Sequence, residues 1–286
     1  MCCCSCQARI AHLICTNFAK TFLLLKPLER SIFLVPSYFC LIIMNKFLIV
    51  FDFDETIIQH NSDYVILKCN PDQSLPEELL QPQEEKFWRE YMNKVYQYFG
   101  EKGVKEETMR KVLAETPLTK EMVNLFQFLK KSSDLFECII ISDANTFFIN
   151  SILQANGLST IFQKIYTNPS CFDNKNTFTI SPYHSHMCKQ CPINMCKKQI
   201  LHDHLVQRAE EEVEFEKIFY VGDGTNDFCP SVALTPTDFI FPRKNYPLDS
   251  LISKTKMTEP STIQAQVVPW ESGEDILLFL EDCAGR

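Results

Sequence analysis

The sequence predicts an α/β fold with a doubly wound, mostly parallel sheet and an inserted helical cap. Three short apolar runs each end in a polar loop, as expected of strands that are buried on both faces of a sheet. Segments with apolar residues at helical spacing alternate with these runs. Repeated strand, loop and helix units form sheets whose ligands bind beyond the carboxyl ends of the strands. We therefore look for a site in the loops that follow the apolar runs.

The core strands and helices can be placed in chain order. Residues 47–51 predict a central parallel strand, and residues 138–141 and 218–221 predict two more. Apolar positions over 148–153 indicate a helix that stops at a following glycine, and residues 196–213 indicate another. The polar loops after the three strands are therefore expected to lie at one edge of the sheet.

A long segment between the first two strands lacks any strand pattern. Residues 69–135 show helical spacing punctuated by prolines, and we predict that they form a cap over the strand ends. Residues 44–68 and 136–286 are then the α/β core. Residues 1–43 hold six of the fourteen cysteines and a net charge of +3, in contrast with the rest. We predict that they are a poorly ordered extension outside the core.

Composition limits the partners and the compartment. The chain has 286 residues, 45% of them hydrophobic, with 28 Lys and Arg against 36 Asp and Glu. An acidic balance argues against a nucleic-acid partner, since no surplus of positive charge exists to neutralise a phosphate backbone. Scattered cysteines and the lack of a secretory signal favour a reducing, cytoplasmic location.

The N-terminal region also contains a long apolar stretch. Residues 32–51 approach the length of a bilayer span, but Pro36 and Lys46 interrupt it and its second half is needed as a core strand. We rank a membrane span below a soluble protein. Membrane association through modified cysteines in the extension stays open as the less favoured alternative.

Two carboxylates follow the first strand. Asp52 and Asp54 point the same way because side chains alternate along an extended chain. Read alone, this is either an acidic turn or half of a catalytic site. The third strand ends in Gly222-Asp223-Gly224-Thr225-Asn226-Asp227. If the strands are neighbours, Asp223 and Asp227 join the first pair, and repulsion among the four is resolved by a hard cation such as Mg²⁺.

Two other residue types complete a set suited to phosphoryl transfer. Ser142 ends the second strand with a hydroxyl donor, and Lys197 or Lys198 opens a later helix with a cation for phosphate oxygens. Each is weak by itself, because such serines usually cap helices and such lysines usually face solvent. Their order along the chain, together with the aspartates, is what indicates a site.

These residues together resemble the haloacid dehalogenase superfamily of phosphohydrolases. From about Met44 onward the chain is similar to the family of pyridoxal phosphate phosphatases and phosphoethanolamine/phosphocholine phosphatases, with the pyridoxal phosphate branch the nearest match. The stretches that carry this closer resemblance are Asn61-Ser62-Asp63, Ile141-Ser142-Asp143-Ala144-Asn145, Thr167-Asn168-Pro169, Cys191-Pro192-Ile193-Asn194-Met195-Cys196-Lys197 and Pro242-Arg243-Lys244.

The resemblance implies a covalent mechanism. Asp52 attacks phosphorus, and Asp54 protonates the leaving oxygen and then activates water. Mg²⁺ is held by the Asp52 carboxylate, the Asp54 carbonyl and Asp223, with Asp227 behind them. Between the lysines the family pattern selects Lys197, which joins Ser142 in the catalytic set.

The resemblance also implies a substrate class. Asp63 and Asp143 are expected to contact the leaving group, and spare carboxylates there favour a positively charged one. We expect pyridoxal 5'-phosphate to be preferred over phosphoethanolamine or phosphocholine. Other readings of the same residues are a protein phosphatase, which a covering cap disfavours, and a non-catalytic binder of phosphorylated ligands. The oligomeric state is left open.

A second cluster stands apart from these residues. Cys188 and Cys191 have the spacing of a zinc pair, and Cys196, His184 and His186 lie close in sequence. Because no second pair with regular spacing follows, we expect reduced thiols without zinc.

Overall fold

The computed structural model describes residues 46–80 and 87–285. Its strands are β1 (Lys46–Phe51), β2 (Phe136–Asn145), β3 (Lys164–Asn168), β4 (Ser170–Phe172), β5 (Phe178–Ile180), β6 (Phe215–Gly222), β7 (Phe239–Pro242) and β8 (Gln266–Val267). Its helices are α1 (Ser62–Val65), α2 (Trp88–Glu101), α3 (Glu106–Ala114), α4 (Met122–Lys131), α5 (Thr146–Ala155), α6 (Lys197–Glu210), α7 (Phe228–Ser231), α8 (Pro247–Thr258) and α9 (Gly273–Cys283).

A six-stranded sheet organises the molecule. Its strand order is β3-β2-β1-β6-β7-β8, and each neighbouring pair is parallel. β1 lies between β2 and β6, with Phe51 opposite Ile140 on one side and Val221 on the other. All three predicted strands are therefore present and adjacent, and the predicted α/β class is confirmed. The strand β1 is apolar throughout its buried part because helices cover both faces of the sheet.

Alternate residues of β1 separate the two halves of the core. Phe47, Ile49 and Phe51 pack in one apolar cluster with side chains of α4, α5 and α9. Leu48 and Val50 pack in the other, with side chains of α6 and α8. The sheet is thus doubly wound, and burial of five consecutive apolar side chains fixes β1 at its centre.

The predicted cap segment contains α2, α3 and α4, and the hairpin of β4 and β5 packs beside α2. Asn93 of α2 bonds both the N–H and the carbonyl of Ile180, and the Tyr96 ring lies 4.9 Å from that of Phe178. This hairpin was not anticipated, because its two strands have only three residues each. The covering layer therefore receives a contribution from beyond residue 135.

The division between core and cap stays a prediction, and α4 calls for one adjustment to it. This helix falls inside the range 69–135, yet its Phe126 ring packs 5.5 Å from that of Phe51 in the central strand. The N–H of Gly273, at the start of α9, donates to the carbonyl of Lys120 just before α4. The helix α4 therefore belongs with the layers that pack on the sheet.

Some predictions concern residues that the structure leaves out. The proposed extension at 1–43, the start of the core at 44 and 45, and the final residue lie outside the described ranges, as do residues 81–86 of the cap segment. Across residues 46–80 and 87–285, none of the helices has the length and apolar character needed to cross a membrane.

Candidate active site

Asp52 leaves the end of the central strand and is almost completely buried. Its backbone N–H continues the β1–β6 ladder by donating to Val221, and its Oδ1 accepts from the N–H of Phe53 at 2.6 Å. The other oxygen, Oδ2, lies 2.9 Å from the Nζ of Lys197. Burial raises the pKa of Asp52 to about 7, against the opposing effect of Lys197. The carboxylate is thus held in a fixed orientation in a poorly hydrated setting.

Lys197 is the first residue of α6 and is 1% exposed. Its Nζ bridges Asp52 and Asp227, with 2.8 Å to the Oδ1 of Asp227. Burial alone would lower the pKa of Lys197, but the carboxylates of Asp227 and Asp52 raise it overall. A permanently charged ammonium group therefore lies directly beneath the predicted nucleophile. Lys198, the other candidate, is exposed.

Asp227 is saturated by donors from its own surroundings. Its Oδ1 also accepts from the Tyr220 hydroxyl at 2.7 Å, and its Oδ2 accepts from the backbone N–H groups of Asp223 and Gly224. Gly222 is required here because a Cβ at that position would lie 2.5 Å from the Oδ2 of Asp227. This arrangement suits a residue that orients Lys197 and the Asp223 loop.

Asp223 completes an acidic cluster at the carboxyl ends of β1 and β6. Asp52, Asp223 and Asp227 each place one oxygen within 4.8 Å of the others. The Oδ1 of Asp223 accepts from the Thr56 hydroxyl at 3.1 Å, and burial, with the charges of Asp52 and Asp227, raises the pKa of Asp223 to about 9. Buried carboxylates of this kind fit a hard divalent cation, which favours their charged forms.

Asp54 faces the same opening from a different direction. Its two oxygens accept from the N–H and the hydroxyl of Ser62, both at 3.0 Å, at the start of α1. Burial, followed by the charge of Asp63, raises the pKa of Asp54 well above its usual range. A carboxyl whose pKa is raised in this way holds its proton more tightly than an exposed aspartic acid, which suits a proton donor.

Asp63 and Asp143 both line the cavity into which these groups open. The cavity has a volume of about 450 Å³, and Asp52, Asp54 and Asp223 also line it. Asp63 accepts from the indole N–H of Trp88 at 2.6 Å and from the Tyr96 hydroxyl at 2.9 Å, both on α2. Burial raises the pKa of Asp63 to about 6. The helix α2 is therefore hydrogen-bonded to Asp63, one of the residues that line the cavity.

Asp143, which also lines the cavity, is fixed by amide side chains. Asn226 donates to the Oδ2 of Asp143 at 3.0 Å, and Asn168 donates to the Asp143 carbonyl at 2.6 Å. Ser142 is fully buried beside Asp143, and its Oγ accepts from the N–H of Ala144 at 3.3 Å. The eight residues singled out in the sequence therefore converge on one region, where Ser142, Asp227 and Lys197 are the most buried.

Several contributors were not assigned a role from the sequence. Ser62 anchors Asp54, Trp88 and Tyr96 hold Asp63, and Arg243 bonds the Gln59 side chain and the Glu55 carbonyl. Ser62 and Arg243 stand in stretches already noticed for their resemblance to a family, which was the available signal. Trp88 and Tyr96 lie in the segment with helical spacing, and that spacing carries no signal for a contact with Asp63.

The chain matches a protein family and several known relatives in sequence. The profile of the family described as Putative Phosphatase matches residues 47–283. Phosphoethanolamine/phosphocholine phosphatase from Gallus gallus is 50% identical over 237 residues, which cover 83% of this chain and 88% of the relative. Pyridoxal phosphate phosphatase PHOSPHO2 from Homo sapiens is 42% identical over 237 residues, covering 82% of this chain and 98% of the relative.

A solved structure gives the same fold. The HAD family hydrolase from Salmonella enterica serovar Typhi superposes with a TM-score of 0.56 at 18% identity, covering 83% of this chain and 72% of that structure. At this identity the likeness concerns the arrangement of sheet and helices alone.

Proposed function

We propose, from the premise that this chain belongs to the Putative Phosphatase family of haloacid dehalogenase-like phosphatases, that it hydrolyses small phosphomonoesters whose alcohol carries a positive charge. The chain is a phosphoric monoester hydrolase, as its relatives are. One observation carries the mechanism. Asp52, a member of the acidic cluster, contacts the Lys197 ammonium group and lines a cavity that Asp54 also lines.

Asp52 acts as the nucleophile in this proposal. Its Oδ1 is occupied by the N–H of Phe53, so the carboxylate keeps one orientation, and the Lys197 ammonium group offsets charge that develops on the phosphoryl oxygens. The attack forms a bond from an Asp52 oxygen to phosphorus and breaks the bond to the alcohol oxygen. Water then attacks the aspartyl-phosphate and releases phosphate.

Asp54 supplies and later accepts the proton. Burial raises the pKa of Asp54 and so favours the protonated carboxyl, which donates its proton to the leaving alcohol; the same group, then ionised, takes a proton from water. The two bonds from Ser62 hold the carboxyl at the cavity wall through both steps.

Asp52, Asp223 and the backbone carbonyl of Asp54 are the groups that we propose for Mg²⁺. When bound, the ion supplies positive charge that orients the phosphate and neutralises its repulsion from the nucleophile. The donor set fits because it consists of oxygens alone, and because the raised pKa values of Asp52 and Asp223 reflect buried negative charge that lacks a sufficient partner.

Removal of the cation is the direct test of this assignment. We expect EDTA to reduce turnover to below about 1% and Mg²⁺ in excess to restore it, since the phosphate otherwise meets the acidic cluster with Lys197 as the cation that contacts it. The measurement is phosphate release before and after chelation, with the melting temperature recorded to show that the fold is intact. Full activity in EDTA would exclude a role for the metal.

The role of Asp54 is separable from that of Asp52. In Asp54→Asn we expect turnover of an alkyl phosphate to fall by about 10²–10⁴, because a poor leaving group needs the proton. With para-nitrophenyl phosphate, whose leaving group departs without protonation, we expect a burst of one nitrophenolate per active site followed by slow hydrolysis of the intermediate.

Ser62→Ala is the matched control for Asp54→Asn, since it keeps the carboxyl and removes one of its anchors. A smaller loss of turnover and no burst are expected. Equal losses on alkyl and aryl phosphates in Asp54→Asn would contradict its role as the acid.

The leaving-group end of the cavity supports the proposed charge preference. The carboxyl groups of Asp63 and Asp143 line the cavity, and the rings of Trp88 and Tyr64 line it as well. A cationic alcohol gains from both features, because carboxylates attract it and aromatic faces bind ammonium groups. The relative with 50% identity is named for phosphoethanolamine and phosphocholine, and this supports our choice of these two as the first candidates.

Pyridoxal 5'-phosphate remains the second candidate, and the sequence alone ranked it first. A relative at 42% identity is named for it, and the flat Trp88 ring at the cavity wall suits stacking on a pyridine ring. Competition between phosphocholine and pyridoxal 5'-phosphate in one reaction gives the ratio of kcat/KM and ranks them directly.

Asp63→Asn and Asp143→Asn test how the leaving group is read. We expect the KM for phosphoethanolamine and phosphocholine to rise by about tenfold while that for para-nitrophenyl phosphate changes by less than about twofold. Because the pKa of Asp63 is about 6, the KM of the wild-type protein for cationic substrates should fall as pH rises from 5 to 7, and Asp63→Asn should remove most of that trend. Equal losses on neutral and cationic substrates would mean that these acids support the fold instead.

A further inference from the structure

Four cysteines meet at a point outside the phosphate cavity. Cys188, Cys191 and Cys196 come from the segment before α6, and Cys229 comes from α7. Their sulfur atoms all lie within 4.8 Å of one another. The sequence expectation of reduced thiols without zinc rested on the lack of a second pair with regular spacing. The structure adds Cys229 as a fourth thiol, and its distance along the chain hid it from any search for regular spacing.

Two of the distances between the sulfur atoms can be compared with the separation expected in tetrahedral coordination. Cys188 Sγ lies 3.7 Å from Cys229 Sγ, and Cys191 Sγ lies 3.6 Å from Cys196 Sγ. Zinc–thiolate bonds of about 2.3 Å place neighbouring sulfur atoms about 3.8 Å apart in a regular tetrahedron. Both measured separations are far longer than a covalent sulfur–sulfur bond. Four sulfur ligands leave no open position, which is the arrangement of structural zinc sites.

The surroundings of the cluster support coordination by thiolates. The N–H of Gln199, in the first turn of α6, donates to the Cys196 sulfur, and the Lys198 side chain lies near Cys229. Two imidazoles accept from ligand backbones: His184 from the N–H of Cys196 at 3.1 Å, and His186 from the N–H of Cys188 at 3.2 Å. Such contacts orient ligands around a metal and stabilise negative charge on sulfur.

The cluster also lies where the chain needs an additional constraint. Residues 181–196 form neither helix nor strand in the described structure, yet this segment leads directly into Lys197. Cys196 immediately precedes Lys197, and Cys229 follows Asp227 by two residues. In sequence, Cys196 and Cys229 therefore adjoin the two members of the Lys197–Asp227 ion pair, and the sulfur cluster joins the start of α6 to α7.

We propose that Cys188, Cys191, Cys196 and Cys229 bind one structural Zn²⁺, separate from the acidic cluster of the cavity. The ion joins the irregular segment 181–196 to α7 and so fixes the two elements that carry Lys197 and Asp227. Metal content reports on this site whether or not the proposed phosphatase activity is found.

The test uses the full chain, purified without a metal-affinity tag, a chelator or added metal. Elemental analysis should find one zinc per chain in the wild type. Cys191→Ser and Cys229→Ser should lose it, whereas Cys171→Ser, which changes an exposed cysteine of β4, should retain it. Asp223→Asn should also retain it, which distinguishes this site from adventitious zinc in the acidic cluster.

A second measurement remains informative if the serine variants fail to fold. Titration of the wild type with a mercurial thiol reagent should release one zinc per chain to a colorimetric indicator as the four cysteines react. Exchange with Co²⁺ should give the intense thiolate-to-cobalt absorption of a tetrahedral sulfur site. The zinc-depleted protein should melt about 5 °C or more below the zinc-bound protein.

Four results would overturn the proposal. In the wild type, they are free thiols at the four cluster cysteines without metal, two disulfides among these cysteines, or iron in place of zinc. In the variants, it is zinc that survives in both Cys191→Ser and Cys229→Ser.

Discussion

Asp52→Asn is expected to reduce turnover by at least about a thousandfold on every phosphomonoester tested. Asparagine preserves the shape of the side chain, but it cannot attack phosphorus and is a poor ligand for a divalent cation. Loss of the nucleophile removes the whole covalent route, so the defect should appear in kcat and should not be rescued by higher substrate concentration. The measurement is steady-state phosphate release, with the intermediate sought by trapping of the phosphorylated protein.

The stability of Asp52→Asn provides the control. The pKa of Asp52 is about 7 in the folded protein and near 4 when unfolded, because burial disfavours the charged form. The raised folded pKa means that stability is lost as pH rises from about 4 to 7. At pH 8 without divalent metal, the neutral asparagine should therefore leave the melting temperature unchanged or higher. An active Asp52→Asn protein would end the covalent mechanism.

Lys197→Met should have the second largest effect, on both activity and stability. The buried ammonium group bridges Asp52 and Asp227 at 2.9 and 2.8 Å, so its removal leaves two buried carboxylates facing each other. Breaking a buried ion pair from one side costs about 3–5 kcal/mol of folding free energy. We also expect turnover to fall by at least about a hundredfold, since the charge beneath the nucleophile is lost.

Two controls isolate this effect. Lys198→Met changes the exposed neighbour on the same helix and should alter stability by no more than about 0.5 kcal/mol. The penalty in Lys197→Met should shrink as pH falls below about 7, because protonation of Asp52 removes part of the uncompensated charge. Chemical denaturation at pH 8 and pH 5.5 measures both. A pH-independent penalty would show that lost packing outweighs lost charge.

The sequence was sufficient for the three central strands of the sheet and for the proximity of the aspartates that follow two of them. The strands β1, β2 and β6 are recognisable because burial on both faces demands continuous apolar runs, and the polar residues after them must share one edge of a parallel sheet. The choice between Lys197 and Lys198 rested on the family resemblance, and the structure places the Lys197 ammonium group against Asp52.

Contacts between distant segments were beyond the reach of local pattern. The bonds of Trp88 and Tyr96 to Asp63 depend on how α2 is laid across the cavity, which helical spacing does not specify. The addition of Cys229 to the three earlier cysteines depends in the same way on α7 folding back against the start of α6. The position of α4 on the sheet was missed because an amphipathic helix reads alike in a cap and in a core.

The central position of β1 has a consequence for synthesis of the chain. Phe51 of β1 pairs with Val221 of β6, which the ribosome makes much later. During the intervening synthesis, the apolar strand and the Asp52 that follows it lack this partner. Until then the strand has an unsatisfied backbone edge and exposed aromatic side chains, which is a surface that chaperones recognise and that aggregates readily. We therefore expect nascent chains arrested before residue 215 to be protease-sensitive and bound by chaperones, and to become resistant only once β6 has emerged.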